Sequence, residues 1–292
     1  FIFICYLMGN DFLPHIPALD IYSNAIDTLL DIYVENNNYI IDRTNKDYIK
    51  EFISNNQEID EYGDQALINV PYRWSHGATD DHLGDGLIIY SIIQHMRAKV
   101  CVCLGSGGGF IPRIMTQARY DLWKQNIFEG DSDYNHGDIG CTYVVDAANG
   151  IGGNVNWLKE ESFFRSTFWP RIINDTTANA FHNYFVLNDI KIDYLHIDAG
   201  HSYENVKEDF DLYSQLMSPN GIISIHDTDP NYADKYIVTN EVKDRGDFDD
   251  WSGPVQLAKE IDNSKWQLFD LFNFGILKNK PASTGLTLVR KK

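Results

Sequence analysis

Basic residues are scarce in this chain. Its 292 residues include 24 lysines and arginines against 42 acids, a formal net charge of −18. A nucleic-acid backbone is bound by cations that displace its counterions, so extensive nucleic-acid contact is not expected. Cysteine is also sparse: Cys5, Cys101, Cys103 and Cys141 are the only four. No C-x-C or C-x-x-C pair has a second pair at metal-site spacing, so free thiols and a reducing, cytoplasmic location are expected. No stretch approaches the roughly 20 apolar residues of a membrane span, and no membrane partner is expected. Phe1 to Met8 is apolar but lacks a basic lead-in and a small-residue cleavage site, so it does not read as a secretory signal. The opening Phe suggests a piece of a longer reading frame.

What is present points to a folded domain: 43% hydrophobic and 13% aromatic residues are enough for a large core. The organising stretch is Val100-Cys101-Val102-Cys103-Leu104-Gly105-Ser106-Gly107-Gly108-Gly109-Phe110-Ile111. Five apolar residues in a row suit a central parallel strand covered on both faces. A glycine loop at its carboxyl end, opening a helix, is where open α/β sheets bind nucleotide-like ligands. The spacing Gly105-x-Gly107-x-Gly109 departs from the G-x-G-x-x-G of a dinucleotide site. An acid at the end of the next apolar run, Thr142 to Asp146, can bind both hydroxyls of a ribose.

Further strands are expected at Arg171–Thr176, Ile192–Asp198 and Ile222–Asp227, and a closing pair at Trp266–Phe272 and Thr284–Val289. Helices are expected at Leu87–Met96, Ile111–Gln125, Ala178–Val186 and near Val255–Ile261. Another helix starts at a Ser202 cap and carries Val206, Phe210, Tyr213 and Met217 on its inner face, stopping at Ser218-Pro219-Asn220-Gly221. Alternating strands and helices give a doubly wound, Rossmann-like α/β sheet with an antiparallel edge. Residues 66–292 form this domain, 57–65 a polar linker, and 1–56 a small, mainly helical appendage. The decorated loop at 71–86, with His76 and His82, reads equally as a cover for the pocket and as ordinary surface.

The order of parts over residues 66–292 resembles the class I S-adenosylmethionine (SAM)-dependent methyltransferases. That resemblance implies a seven-stranded sheet with its last strand reversed, and SAM as cofactor. Gly105, Ser106, Gly107 and Gly109 would line the methionine part, Asp146 would hold the ribose, and Asp175 and Thr176 would lie near the adenine. The stretch Asp198-Ala199-Gly200-His201-Ser202-Tyr203-Glu204, continued by Gly221 to His226-Asp227, is similar to a D-x-x-H-x-Y-E … H-D pattern. It belongs to a subgroup of sugar and natural-product O-methyltransferases and cephalosporin-hydroxylase-like proteins. By this likeness Asp198 and Asp227 would hold a divalent ion, with Mg²⁺ expected, and His201 would be the general base. Asp198 would also border the transferable methyl. His226 stands where some metal-binding members have an acid.

Simpler readings stay open. Asp198 can cap the following helix, Asp227 can cap a loop, and His201 and His226 can be structural.

The segment Gly9-Asn10-Asp11-Phe12-Leu13-Pro14-His15-Ile16-Pro17, within residues 1–53, resembles part of the 5′→3′ exoribonuclease (Xrn) family. There the aspartate matching Asp11 helps bind magnesium. One aspartate cannot hold a two-metal site, so a working nuclease is not expected. The function read from the sequence is O-methylation of a hydroxyl on a small molecule or sugar, in a chain able to self-associate as a homo-oligomer. The alternatives are a partial exoribonuclease fused to a SAM-binding domain, and a SAM-binding module without catalysis.

Overall fold

A computed structural model describes residues 73–78, 82–124, 142–147, 170–231, 252–272 and 283–292. The chain divides into two units, Phe1–Ile49 and Lys50–Lys292, and all of these residues belong to the second. Asp11 and its neighbours, the polar linker, the loop 131–140 and the acidic run at 244–250 lie outside the described residues.

Seven strands form one sheet: β1 (Cys101–Leu104), β2 (Thr142–Val145), β3 (Arg171–Ile173), β4 (Ile192–Ile197), β5 (Met217–His226), β6 (Trp266–Leu271) and β7 (Leu286–Lys291). Their order is β3-β2-β1-β4-β5-β7-β6. The first five run parallel, and β7 lies antiparallel between β5 and β6. The doubly wound sheet with its reversed last strand is therefore as expected. Every residue of β1 and β2 is buried, as unbroken apolar runs under two helical layers require.

The helices are α1 (Asp85–Met96), α2 (Phe110–Lys124), α3 (Thr177–Ala180), α4 (Tyr203–Tyr213) and α5 (Gly253–Glu260). One apolar cluster joins Val102, Leu104, Leu195, Ile197, Ile223 and Val289 of the sheet to Phe185, Val206, Phe210, Tyr213 and Leu257. These are alternate residues along each strand, so they share one face. The opposite face meets α1 and α2, whose Ile89, Ile93, Ile114 and Met115 are fully buried. Truncating any of these large side chains to alanine costs about 2–5 kcal/mol.

Ser202 caps α4 as expected, its hydroxyl accepting from the Asn205 amide at 3.3 Å. The far end differs. The helix stops at Tyr213, tightens into a 3₁₀ turn over Ser214–Leu216, and Met217 already begins β5. Ser218 to Gly221, expected as a loop, lie within that strand. A register shift opposite Ile192 and Tyr194 absorbs the extra residues, as a bulge does. The Ser218 hydroxyl donates to Asp193 at 2.6 Å and ties the irregular part down. The helix expected at Ala178–Val186 is one α-turn followed by a π-turn over Phe181–Phe185.

Register sets where the chemistry can happen. Leu104 pairs with Val145 and Ile197, Val145 with Ile173, and Ile197 with Ile225. The ends of the five parallel strands thus lie along one edge of the sheet.

Candidate active site

Gly105 follows β1, Asp146 follows β2, and Asp198 follows β4. Backbone bonds knit these ends together: Gly105 N donates to Val145 O at 2.9 Å, and Asp198 N to Leu104 O at 2.9 Å. Gly105 sits at φ +82°, and a Cβ there would lie 2.0 Å from the Asp198 carbonyl oxygen. Only glycine fits, for backbone conformation and for space.

Gly107 is different. It has φ +46°, is exposed, and a Cβ there would meet nothing within 4 Å, so the loop leaves open space at this point. Ser106 is buried, and Asp146 Oδ2 accepts from both its backbone N–H (2.9 Å) and its hydroxyl. The loop and the strand-end acid are thus one unit. Asp175 and Thr176 follow β3. Asp175 Oδ1 accepts from Thr176 N at 2.8 Å and Asn179 Nδ2 at 3.0 Å, while the Thr176 hydroxyl caps α3. Both side chains are engaged in starting that helix, next along the edge from Asp146.

At the other side of the edge, imidazoles and carboxylates converge. His201 Nε2 lies 2.9 Å from Asp227 Oδ2 and 3.6 Å from Asp198 Oδ1. His226 Nδ1 lies 3.2 Å from Asp198 Oδ1 and 3.3 Å from Asp227 Oδ1. His76 Nε2 and His196 Nε2 stand 3.8 and 3.9 Å from Asp198 Oδ2. Four histidines therefore surround one carboxylate, which keeps 21% of its side chain exposed at the crevice.

Each member is held by local structure. Asp227 takes φ +60°, a left-handed conformation that Asp tolerates better than most residues. The Thr284 hydroxyl bonds its Oδ1. The loop before β7 presses on this turn, since a Cβ on Gly285 (φ +105°) would fall 2.2 Å from Asp229 N. The His201 backbone is backed by the start of α5, where a Cβ on Gly253 would meet the His201 carbonyl oxygen at 2.4 Å. His76 ends a 3₁₀ turn over Arg73–His76. The Ser75 carbonyl there accepts from Thr284 N (2.7 Å) and His226 Nε2 (3.2 Å). A carbonyl only accepts, so that network assigns the hydrogen to His226 Nε2.

Burial and charge divide the histidines into two kinds. Burial lowers His76 well below the ordinary imidazole value and His196 to about 4, so both are neutral at pH 7. For His201 burial also acts downward, but its bonds to Asp198 and Asp227 win and raise it to about 9. His226 rises for the same reason, with Asp227 the stronger partner. Both carboxylates are depressed: burial would raise them, and the charge of His226 outweighs it. The cluster thus holds two carboxylates against two imidazolium groups at neutral pH, a balanced set in a place where unpaired charge is costly.

That donor set fits Mg²⁺ poorly. Magnesium takes oxygen ligands and retains waters, whereas both carboxylates face imidazole nitrogens. Asp227 in particular is met by His201, His226 and Thr284 together.

The structure brings Asp198, His201 and Asp227 into mutual contact, and places the glycine loop with Asp146 on the same edge. Sequence reasoning passed over His196 and Thr284, and underrated His76 and His226. His196 had a visible signal, because it stands two residues before Asp198 and shares its strand face. His76 had none, as 122 residues of chain separate it from Asp198. His82 stays apart and bonds Gly84 N at 2.8 Å.

Comparison with known proteins agrees with this geometry. Residues 104–228 match a family model described as a methyltransferase domain. This stretch, under half of the chain, is similar to a methyltransferase domain. The match runs from the end of β1 to just beyond Asp227, so the glycine loop, Asp146, Asp198 and the histidine cluster's downstream members all fall inside it. The fold is similar to that of a solved structure titled a putative O-methyltransferase from Klebsiella pneumoniae. The TM-score is 0.50 and the identity 13%, over 77% of this chain and 88% of that one.

The N-terminal part has separate relatives. Residues 1–68 match the Xrn1 helical domain. A 35-residue stretch is 57% identical to 5′-3′ exoribonuclease 2 of Aspergillus oryzae, and 32 residues are 59% identical to that of Saccharomyces cerevisiae. These stretches are 12% and 11% of this chain, and each spans only 3% of the relative's own length. Among the described residues no helix is long and apolar enough to cross a membrane.

Proposed function

We propose that residues 66–292 transfer the methyl group of SAM to a hydroxyl oxygen of a small molecule or sugar, with residues 1–56 as a separate appendage and 57–65 as the linker. One observation carries this reading. The open glycine cradle and the His/Asp cluster are neighbours, with the Gly105 Cα packed against the Asp198 carbonyl. A cofactor in the cradle and an acceptor at the cluster would therefore meet.

The chain's residues divide the work. Gly105 to Gly109 would border the methionine part of the cofactor, and Asp146, already anchored by Ser106, would accept from the ribose hydroxyls. Asp175 and Thr176 would flank the adenine. SAM supplies an activated methyl on a positively charged sulfonium, so little is asked of the protein beyond alignment and proton removal. His201 is the proposed base, with Asp227 at 2.9 Å fixing its ring. In the free protein His201 carries a proton at pH 7, because its raised pKa lies near 9. Acceptor binding must therefore separate it from one carboxylate, and Asp198, shared with three other imidazoles, is the partner it can lose. No step runs through Mg²⁺.

Buried free thiols at Cys101 and Cys103 support placing the protein in a reducing compartment, the cytoplasm. Titration calorimetry with SAM and with S-adenosylhomocysteine tests the cofactor. Binding of both is expected, and heat from neither would remove the reading. Degradation of 5′-phosphorylated RNA with Mg²⁺ would favour the exoribonuclease alternative instead.

A further inference from the structure

Four histidines around one aspartate exceed what a proton-transfer site needs. His76 and His226 are 6% and 2% exposed. Their rings lie 4.1 Å apart between centroids. With Asp198 they place one donor atom each within 4.8 Å of one another. The orientation of His226 is the informative part. Its Nε2 hydrogen is spent on the Ser75 carbonyl at 3.2 Å, with Thr284 Oγ1 beside it at 3.1 Å, while Nδ1 lies 3.2 Å from Asp198 Oδ1 and 3.3 Å from Asp227 Oδ1, where an entering cation would displace the proton it carries. A metal-ligating histidine characteristically donates its other ring N–H to a backbone carbonyl or carboxylate, which fixes its ring.

Two further atoms are unexplained. His76 Nδ1 and His196 Nε2 are buried without a hydrogen-bond partner. His196 is fully buried, pinned by Ser224 Oγ at 2.9 Å on Nδ1, and its bare Nε2 points toward Asp198. Buried polar nitrogens without partners cost free energy, and His196 Nε2, 3.9 Å from Asp198 Oδ2, places a further nitrogen beside the same carboxylate.

We propose that His76, Asp198 and His226 bind a divalent cation of the imidazole-accepting class, such as Zn²⁺, Co²⁺ or Fe²⁺, and not Mg²⁺. Two imidazoles and one carboxylate leave coordination positions open toward the crevice, a ligand pattern characteristic of borderline transition metals. Asp227 is left to orient His201, and the two functions split on either side of Asp198. The assignment stands on the ligand geometry and does not require that methyl transfer be correct.

The test uses the full chain without a histidine tag, stripped with chelator and titrated with Co²⁺. Visible ligand-field absorption should saturate at one equivalent, disappear on adding Zn²⁺, and persist under a hundredfold excess of Mg²⁺. H76Q and D198N should each weaken Co²⁺ binding at least tenfold, while H201A keeps the wild-type spectrum. Circular dichroism checks that each variant is folded, and D198N serves if H76Q is not. Absence of the absorption band, its survival in both ligand variants, or its loss to equimolar Mg²⁺ would overturn the site. Failure of SAM to bind, with the Co²⁺ band intact, would instead overturn the methyltransferase reading alone.

Discussion

Gly107→Ala separates a cofactor cradle from an ordinary tight turn. Gly107 has φ +46° with nothing within 4 Å of an added Cβ. Left-handed backbone costs a non-glycine residue about 1–2 kcal/mol. No steric term adds to it, so the variant should fold and lose about 2–5 °C in Tm. Its methyl group would project into the space assigned to the cofactor. A ligand forced off by one methyl loses on the order of 2 kcal/mol, a thirtyfold weaker Kd. Gly105→Ala is the contrast, since its Cβ would lie 2.0 Å from the Asp198 carbonyl oxygen and 2.6 Å from its carbon. Backbone must move there, so stability should fall by several kcal/mol and the cluster should be displaced as well. Thermal unfolding and calorimetry with SAM distinguish the two. A Gly107→Ala protein that binds SAM with wild-type affinity would refute the cradle.

Three other outcomes are expected. Asp146→Ala should weaken SAM at least tenfold, since hydrogen bonds to a charged group contribute about 1.5–3 kcal/mol; calorimetry reads this directly, and an unchanged Kd would reject the ribose contact. His201→Ala should lower kcat by 10²–10⁴, the usual range for a positioned base, with SAM affinity kept; steady-state kinetics at full activity would reject the role. Asp209, buried on α4 and hydrogen-bonded to Thr177, has its pKa raised from 3.8 to about 7, burial being the dominant cause. An acid that keeps its proton in the folded state stabilises it below pH 4 relative to higher pH, and this advantage disappears as pH rises from 4 to 7. Asp209→Asn should therefore be more stable than wild type at pH 8, by on the order of 4 kcal/mol, and equal to it near pH 4. Urea unfolding at both pH values checks the sign, and a pH-independent difference would contradict it.

Strands β1, β2 and β4 were legible because each is a short apolar run closed by an acid or glycine at the same relative place. Leu104-Gly105, Val145-Asp146 and Ile197-Asp198 all end where the side-chain environment changes from core to crevice. The end of α4 was not legible. Met217 continues the helical spacing of Val206, Phe210 and Tyr213, and Pro219-Asn220-Gly221 looks like a loop, yet Met217 pairs with Ile192 of β4 and β5 runs on through the other three. Local pattern loses there to a long-range ladder. In the site, Asp198 and Asp227 could be picked out by their places at strand ends, and His201 by the D-x-x-H pattern of the family that the sequence resembles. His76 could not, because what brings it in is the Ser75 carbonyl bonding Thr284 and His226, contacts across 209 and 151 residues.

Those long-range bonds also explain why two aspartates at neighbouring strand ends need not do the same job. Asp198 continues β4 at the crevice, partly exposed, and is approached by imidazoles from the turn before α1, from β4 and β5, and from the loop before α4. Asp227, in a left-handed backbone conformation, is 8% exposed and is met by His201, His226 and Thr284. A buried carboxylate surrounded by donors is well suited to hold a ring in place and poorly suited to receive a ligand. The accessible one is the better candidate for contact with anything that enters. Reversal of β7 produces this asymmetry. It is what brings Thr284, just before that strand, alongside Asp227 and the Ser75 turn, a contact available to Asp227 and not to Asp198.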